Sequence, residues 1–177
     1  PATVKDYPIE SFTKVRQVEF EMNCNWKAYT DNFVEGYHIP GIHPSFHAVI
    51  DFSKFETTHA DALVIMTAPQ KNGSIYGGMW LWGWPNYTLS VYPGGMNCSR
   101  IVPIDERRTR LVYSFFFKDV SEAASAANEK TIETNCDIVR EDFGICEAAQ
   151  GNLEAGIYER GPLSPAHEAG VGHFHDM

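Results

Sequence analysis

His38 and His43 stand five residues apart in the run Asn32-Phe-Val-Glu-Gly-Tyr-His38-Ile-Pro-Gly-Ile-His43-Pro44. Neutral imidazoles held close together are ligands for iron, zinc, copper or nickel. Five residues of continuous helix turn the chain about 140° past a full turn, so the pair cannot share one helix face. Pro40 disfavours helix at Ile39 and Gly41 permits a sharp bend, which predicts a backbone folded back until the two rings lie side by side. Such a pair asks for a third ligand from elsewhere. Asp142 is the candidate: it falls about 280° from Ile132 on a helical wheel, between Cys146 and Val139 on one side and Ala149 and Ile138 on the other. Arg140, Glu141 and Glu147 lie outside that apolar arc. A carboxylate there needs a metal, an arginine or hydrogen-bond donors as partner, and a metal is the economical choice.

These residues must be positioned by regular elements. Asn25 is a plausible N-cap, and Trp26, Tyr29, Phe33 and Tyr37 recur on one helix face that should pack into a core. Asp31, Glu35 and His38 fall together on the other face as a polar stripe. Upstream, Thr13 to Met22 alternates as a strand does. Downstream, Phe52 to Thr58 and Ala62 to Ala68 read as strands around a His59–Asp61 turn, with a loop at Pro69 to Gly73. Gly78 to Trp84 places Trp80, Trp82 and Trp84 at alternate positions, on one face if extended. Tyr87–Tyr92, Met96–Ile104 and Thr109–Lys118 complete a meander, with turns at Pro93-Gly-Gly and Asp105-Glu-Arg-Arg. From Ser121 a long helix runs to about Glu154, with Gly156 near its end and an apolar stripe through Ile132, Cys136, Val139, Phe143, Cys146 and Leu153. The expectation is an α+β fold of the helix-grip kind, an antiparallel sheet packed on a long C-terminal helix. Its indole face either fills the core or walls a pocket, holding an aromatic ring by stacking or a trimethylammonium group by cation–π attraction.

The run from Asn32 to Pro44, preceded by Asn25-Trp-Lys, resembles the iron-binding segment of the catalytic domain of Rieske-type non-haem iron oxygenase α subunits. The similarity is strongest to the branch acting on aromatic rings and on quaternary amines such as choline, carnitine and glycine betaine. It implies that His38 and His43 bind a mononuclear Fe(II), with an aspartate as third ligand. The family places that aspartate in a C-terminal helix, and Glu141-Asp142-Phe-Gly-Ile-Cys-Glu147-Ala-Ala-Gln150 resembles the segment. The resemblance further implies that Glu35 is a carboxylate linking the iron to its electron donor. Asn32 beside it is either a hydrogen-bonding support of the site or an ordinary exposed amide. Implied partners are O₂, a small organic substrate, an NAD(P)H-dependent reductase or ferredoxin, and further copies in a homotrimer. The implied reaction is hydroxylation, or oxidative N-demethylation, of an aromatic or quaternary-ammonium substrate.

Composition sets limits on this reading. At 177 residues, with 44% apolar and 13% aromatic side chains, one packed domain is expected over 1–177. The 14 basic and 23 acidic residues, formally net −9, oppose nucleic-acid binding. No apolar run approaches the roughly 20 residues of a spanning helix, and no signal-peptide pattern opens the chain, so a cytoplasmic protein is expected. Cys24, Cys98, Cys136 and Cys146 are scattered and read as buried thiols. They form none of the Cys-x-His and Cys-x-x-His pairs that hold a Rieske 2Fe–2S cluster, so a catalytic domain without its Rieske domain is expected, one that binds iron but does not turn over alone. In the tail, His167-Glu168 lacks the second histidine of a zinc protease, while His173-Phe-His175 could ligate a metal from a strand face, a use the family does not make of it. Two other classes fit the residues: a helix-grip ligand carrier, and a zinc hydrolase with the same ligand types.

Overall fold

The alternation from Thr13 to Met22 and the four apolar runs from Gly78 onward build strands, as their period predicts, and these join two further strands in one antiparallel sheet. A computed structural model describes residue 4 and residues 7–71, 78–159 and 161–177. The strands are β1 (Thr13–Met22), β2 (Glu56–Ala60), β3 (Leu63–Ala68), β4 (Gly78–Gly83), β5 (Tyr87–Tyr92), β6 (Gly95–Pro103) and β7 (Thr109–Phe117), in the order β1-β7-β6-β5-β4-β3-β2. β2 to β7 are therefore a continuous meander, and β1 closes the far edge beside β7. Between β1 and β2 the chain leaves the sheet and forms three short helices, α1 (Trp26–Phe33), α2 (Ile39–Ile42) and α3 (Pro44–Val49). The run 46–50, too short to assign from sequence, lies largely within α3.

Turn chemistry fixes the register. Between β5 and β6, Gly94 follows Pro93 with φ +83°, where a type II turn needs a left-handed residue. The β2–β3 turn lies at Asp61-Ala62, not at His59–Asp61, because Ala60 still pairs with Leu63. Asp61 takes φ +49°, a conformation aspartate tolerates better than most residues. The strand expected from Phe52 begins only at Glu56, since 52–54 form a 3-10 turn. Of the predicted loop at 69–73, residues 72 and 73 lie outside the described residues.

α4 (Glu122–Glu154) is the long helix the stripe predicts, and Gly156, at φ +68°, sits just past its Ala155 cap. Ile132, Cys136, Val139 and Cys146 enter the core with Trp82, Ile101, Leu111 and Phe115 of the sheet. The buried stripe stops there, for Ala149 and Leu153 are exposed. Nor is α4 the last element: α5 (Ala169–Asp176) follows and packs on β2 and β3. The expected strand face of His173 and His175 is thus helical, where residues two apart diverge by about 200°. His173 Nε2 lies 2.8 Å from the Asp61 carbonyl oxygen and His175 Nε2 lies 2.8 Å from Asp31 Oδ1, so the two do not converge. The four cysteines are free. Among the described residues no helix is long and apolar enough to cross a membrane.

Candidate metal centre

The segment that carries the histidines folds differently from its sequence pattern. α1 ends at Phe33, where the Val34 N–H closes onto the Thr30 carbonyl, so Glu35 and His38 do not extend its polar stripe. Tyr37, expected in the core, is 64% exposed with its ring 5.5 Å from that of His167. At Gly36 the chain passes so close to the Phe55 ring that a Cβ would stand 2.5 Å from it, and glycine makes that path available. The bend expected at Pro40-Gly41 is instead one turn of helix, α2, with Pro40 in its first turn, where a missing N–H breaks no intrahelical bond. His38 precedes this turn and His43 follows it at φ −116°, ψ 65°, outside the helical region. That departure at His43 turns its ring back, and the two Nε2 atoms come to 3.1 Å.

Asp142 reaches the pair from α4. Its Oδ1 lies 3.0 Å from His43 Nε2 and 3.7 Å from His38 Nε2. Donors held about 2.1 Å from one cation stand about 3.0 Å apart at right angles and about 3.6 Å apart at 120°, so this triangle is the size a single ion requires. Among the described residues these three form the group of His, Cys, Asp and Glu whose ligand atoms approach one another within 4.8 Å.

The outer nitrogens decide what the inner ones can do. His38 Nδ1 is 2.5 Å from Glu35 Oε1, and His43 Nδ1 is 2.7 Å from Glu141 Oε2. An ionised carboxylate only accepts, so each Nδ1 carries the proton and each Nε2 keeps its lone pair. Two lone pairs then face an Asp142 Oδ1 that is buried without a hydrogen-bond partner. This is an arrangement of acceptors around a common point, and a metal cation satisfies all three. Without a cation, burial lowers the affinity of His43 for a second proton, but Asp142 and Glu141 outweigh it and hold its pKa above the ordinary histidine value.

Glu35 also holds the chain that enters α2, its Oε2 accepting from the backbone N–H groups of Tyr37 and His38. Its side chain is 11% exposed, turned onto His38 where the helical stripe would have set it facing outward. Glu141 is the residue that sequence reasoning missed: the wheel sets it outside the apolar arc, and its one signal was adjacency to Asp142. α4 presents Asp142 to the metal point and lets the longer glutamate reach round to the back of His43.

A cavity opens beside the triad between the sheet and α4. Phe46, Phe55, Trp80, Tyr113 and Ile138 line it, with Asn32, Ser90, Asn97 and Asn135 among its polar members. Burial pushes the Tyr113 phenol up to about 12 and that of Tyr29 well above its usual range, so the pair, 3.3 Å apart through their oxygens, stays neutral. Of the three indoles, Trp80 alone lines this cavity. Trp82 is fully buried against Phe174, and Trp84 lies past the end of β4, 46% exposed. The shared face exists, but α5 covers its far part.

A mixed sheet-and-helix domain with a buried His, His, Asp triangle at the wall of a cavity has the donor set that a metal-dependent catalytic site requires. The family model described as the ring hydroxylating alpha subunit (catalytic domain) matches residues 9–83 and 57–177, and the chain belongs to that family of oxygenases. It is 28% identical over 165 residues to the chloroplastic choline monooxygenase of Beta vulgaris, covering 89% of this chain and 37% of that protein. It is 27% identical over 175 residues to the carnitine monooxygenase oxygenase subunit of Escherichia coli (strain K12), covering 87% and 46%. The chain therefore spans less than half the length of these relatives. Its fold is similar to that of the quaternary ammonium Rieske monooxygenase CntA solved with an inhibitor, at a TM-score of 0.81 and 22% identity over 94% of this chain and 48% of that one.

Proposed function

We propose that this chain is the metal-holding part of a Rieske-type terminal oxygenase whose substrate is a small quaternary-ammonium compound. His38, His43 and Asp142 would hold a mononuclear Fe(II), and the observation that carries this is the pair of Nδ1–H groups turned onto Glu35 and Glu141, which leaves three acceptors aimed at one point. Ferrous iron bound there supplies activation of O₂. The overall change is that a substrate C–H bond and O₂, with two electrons and two protons from outside, give a C–OH group and water. On an N-methyl carbon the hydroxylated product then releases formaldehyde, leaving the amine one methyl shorter.

The chain's own residues bind, orient and exclude water. Phe46, Phe55 and Trp80 wall the cavity with carbon, and an indole face attracts a trimethylammonium group that it cannot hydrogen-bond. Glu35 would couple the site to its electron supply, standing between His38 and a Rieske cluster carried by another copy in a homotrimer that a reductase or ferredoxin recharges. The similarity to quaternary-ammonium oxygenases favours this substrate class over aromatic acids. The helix-grip description belongs to the same reading, since a sheet closed by one long helix leaves a pocket between them.

Anaerobic titration with Fe(II) tests the centre. One ion per chain is expected to bind, and metal at a hundred times its Kd stabilises the fold by about 2.7 kcal/mol, or roughly 5–10 °C in Tm for a chain of this size. Asp142→Asn should abolish that rise. An equal rise in the variant would remove Asp142 from the ligand set, and zinc in place of iron in anaerobically purified protein would favour hydrolysis.

A further inference from the structure

The end of the cavity away from the triad contains an acceptor with nothing to accept. Asn97, on β6, is 1% exposed and lines the cavity, and its Oδ1 is buried without a hydrogen-bond partner. The orientation of its amide is fixed by a chain of bonds. A main-chain carbonyl only accepts, so the Thr131 carbonyl holds the Asn135 amide nitrogen at 2.8 Å. Asn135 Oδ1 is then turned outward and accepts from Asn97 Nδ2 at 3.1 Å. Rotating the Asn97 amide would set oxygen against oxygen, so Oδ1 remains the free end.

Position adds to this. Asn97 pairs with Ser90, and Ser90 pairs with Trp80, so the three share one row across the inner face of the sheet. Asn135 precedes Asp142 by seven residues on α4, about 10 Å along the helix axis. A short carbon arm and the hydrogen bond at its end span such a distance. Among the described residues no lysine or arginine lines the cavity, and its carboxylates, Glu35 and Asp142, belong to the metal end.

We infer that Asn97 is a specificity-determining residue: its Oδ1 accepts a hydrogen bond from a hydroxyl on the arm of a quaternary-ammonium substrate and disfavours substrates that offer a carboxylate there. A hydroxyl donates to the unpaired oxygen. A carboxylate would meet it as one acceptor meets another, buried and without a cation to offset its charge. This rests on the quaternary-ammonium reading above and names the group that such a substrate carries.

The test is calorimetric titration of the iron-loaded chain, without O₂, using four probes of similar shape: choline, propyltrimethylammonium, glycine betaine and 3,3-dimethylbutan-1-ol. Choline is expected to bind about five- to tenfold more tightly than propyltrimethylammonium, the worth of one hydrogen bond, and glycine betaine more weakly than both. In Asn97→Leu, choline should fall to the level of propyltrimethylammonium, while propyltrimethylammonium is unchanged and so reports an intact pocket. Glycine betaine binding as tightly as choline, or a hydroxyl-free probe doing so, overturns the inference, and the ranking on the unaltered chain decides this even if the variant does not fold. If 3,3-dimethylbutan-1-ol matches choline, the hydroxyl preference stands and the quaternary-ammonium reading fails instead.

Discussion

At one end of the cavity, charged groups are arranged in pairs around a point: Glu35 behind His38, Glu141 behind His43, and Asp142 completing the triangle. At the other end, about two helical turns along α4, the polar groups are neutral amides whose bonds run Thr131 to Asn135 to Asn97 and stop at a buried oxygen without a partner. Both ends leave acceptors unsatisfied, and the difference lies in what completes them. Three acceptors backed by two more carboxylates call for a cation, since protonating them all would discard the geometry that holds them. A single amide oxygen among aromatic rings calls for one proton donor of modest strength. The chain thus separates the place where charge is concentrated from the place where a ligand is told apart from its neighbours.

If that separation is real, changes at the charged end should affect metal and turnover while leaving ligand preference alone. The largest effect is expected from Glu35→Gln in the full-length protein. Glutamine can still accept from His38 Nδ1, so iron content should hold, but the charge between cluster and metal is gone and coupled turnover should be lost. Normal turnover at normal iron content would remove Glu35 from the electron path. Next comes Glu141→Ala, which frees the back of His43. Removing such a partner lowers metal affinity by roughly 10–100-fold, measurable by competition with a chelator. No change in affinity would mean that burial alone orients His43, and a changed ranking of the ammonium probes would mean that the two ends are not separate.

The sheet and the long helix were legible because they rest on period. Alternation over β1 and β5 to β7 and the 3.6-residue stripe on α4 each involve many residues, and the burial of Asp142 follows from that stripe alone. The segment from Val34 to Pro44 was legible in composition and not in path. Its pattern continues the helical spacing through Tyr37, but a close pass of Gly36 against Phe55, more than a dozen residues away, decides where the chain goes. Likewise Pro40 predicts a helix break, whereas its position in the first turn of α2 makes it compatible with helix. Glu141 and Asn97 were out of reach for a related reason. One acts around the side of its helix and the other through a bond to a different element, and neither relation has a spacing in sequence.

The tryptophans give the smallest of the expected effects and the sharpest check on the neutral end. Alternate spacing made Trp80, Trp82 and Trp84 equivalent in sequence, whereas in the fold Trp80 lies against Phe46 with ring centroids 5.4 Å apart at the cavity wall, and Trp82 and Trp84 both contact Phe174 of α5. A cation–π contact at a partly desolvated wall is worth roughly 0.5–2 kcal/mol. Trp80→Leu should therefore weaken propyltrimethylammonium binding by about two- to thirtyfold, with the Fe(II)-induced rise in Tm preserved. Trp84→Leu, at an exposed site outside the cavity, should leave that affinity unchanged. Equal losses from the two variants would mean that the indoles act through the packing of the sheet as a whole, and the ammonium group would then have to be sought against Phe46 and Phe55, nearer the metal than the present division of the cavity allows.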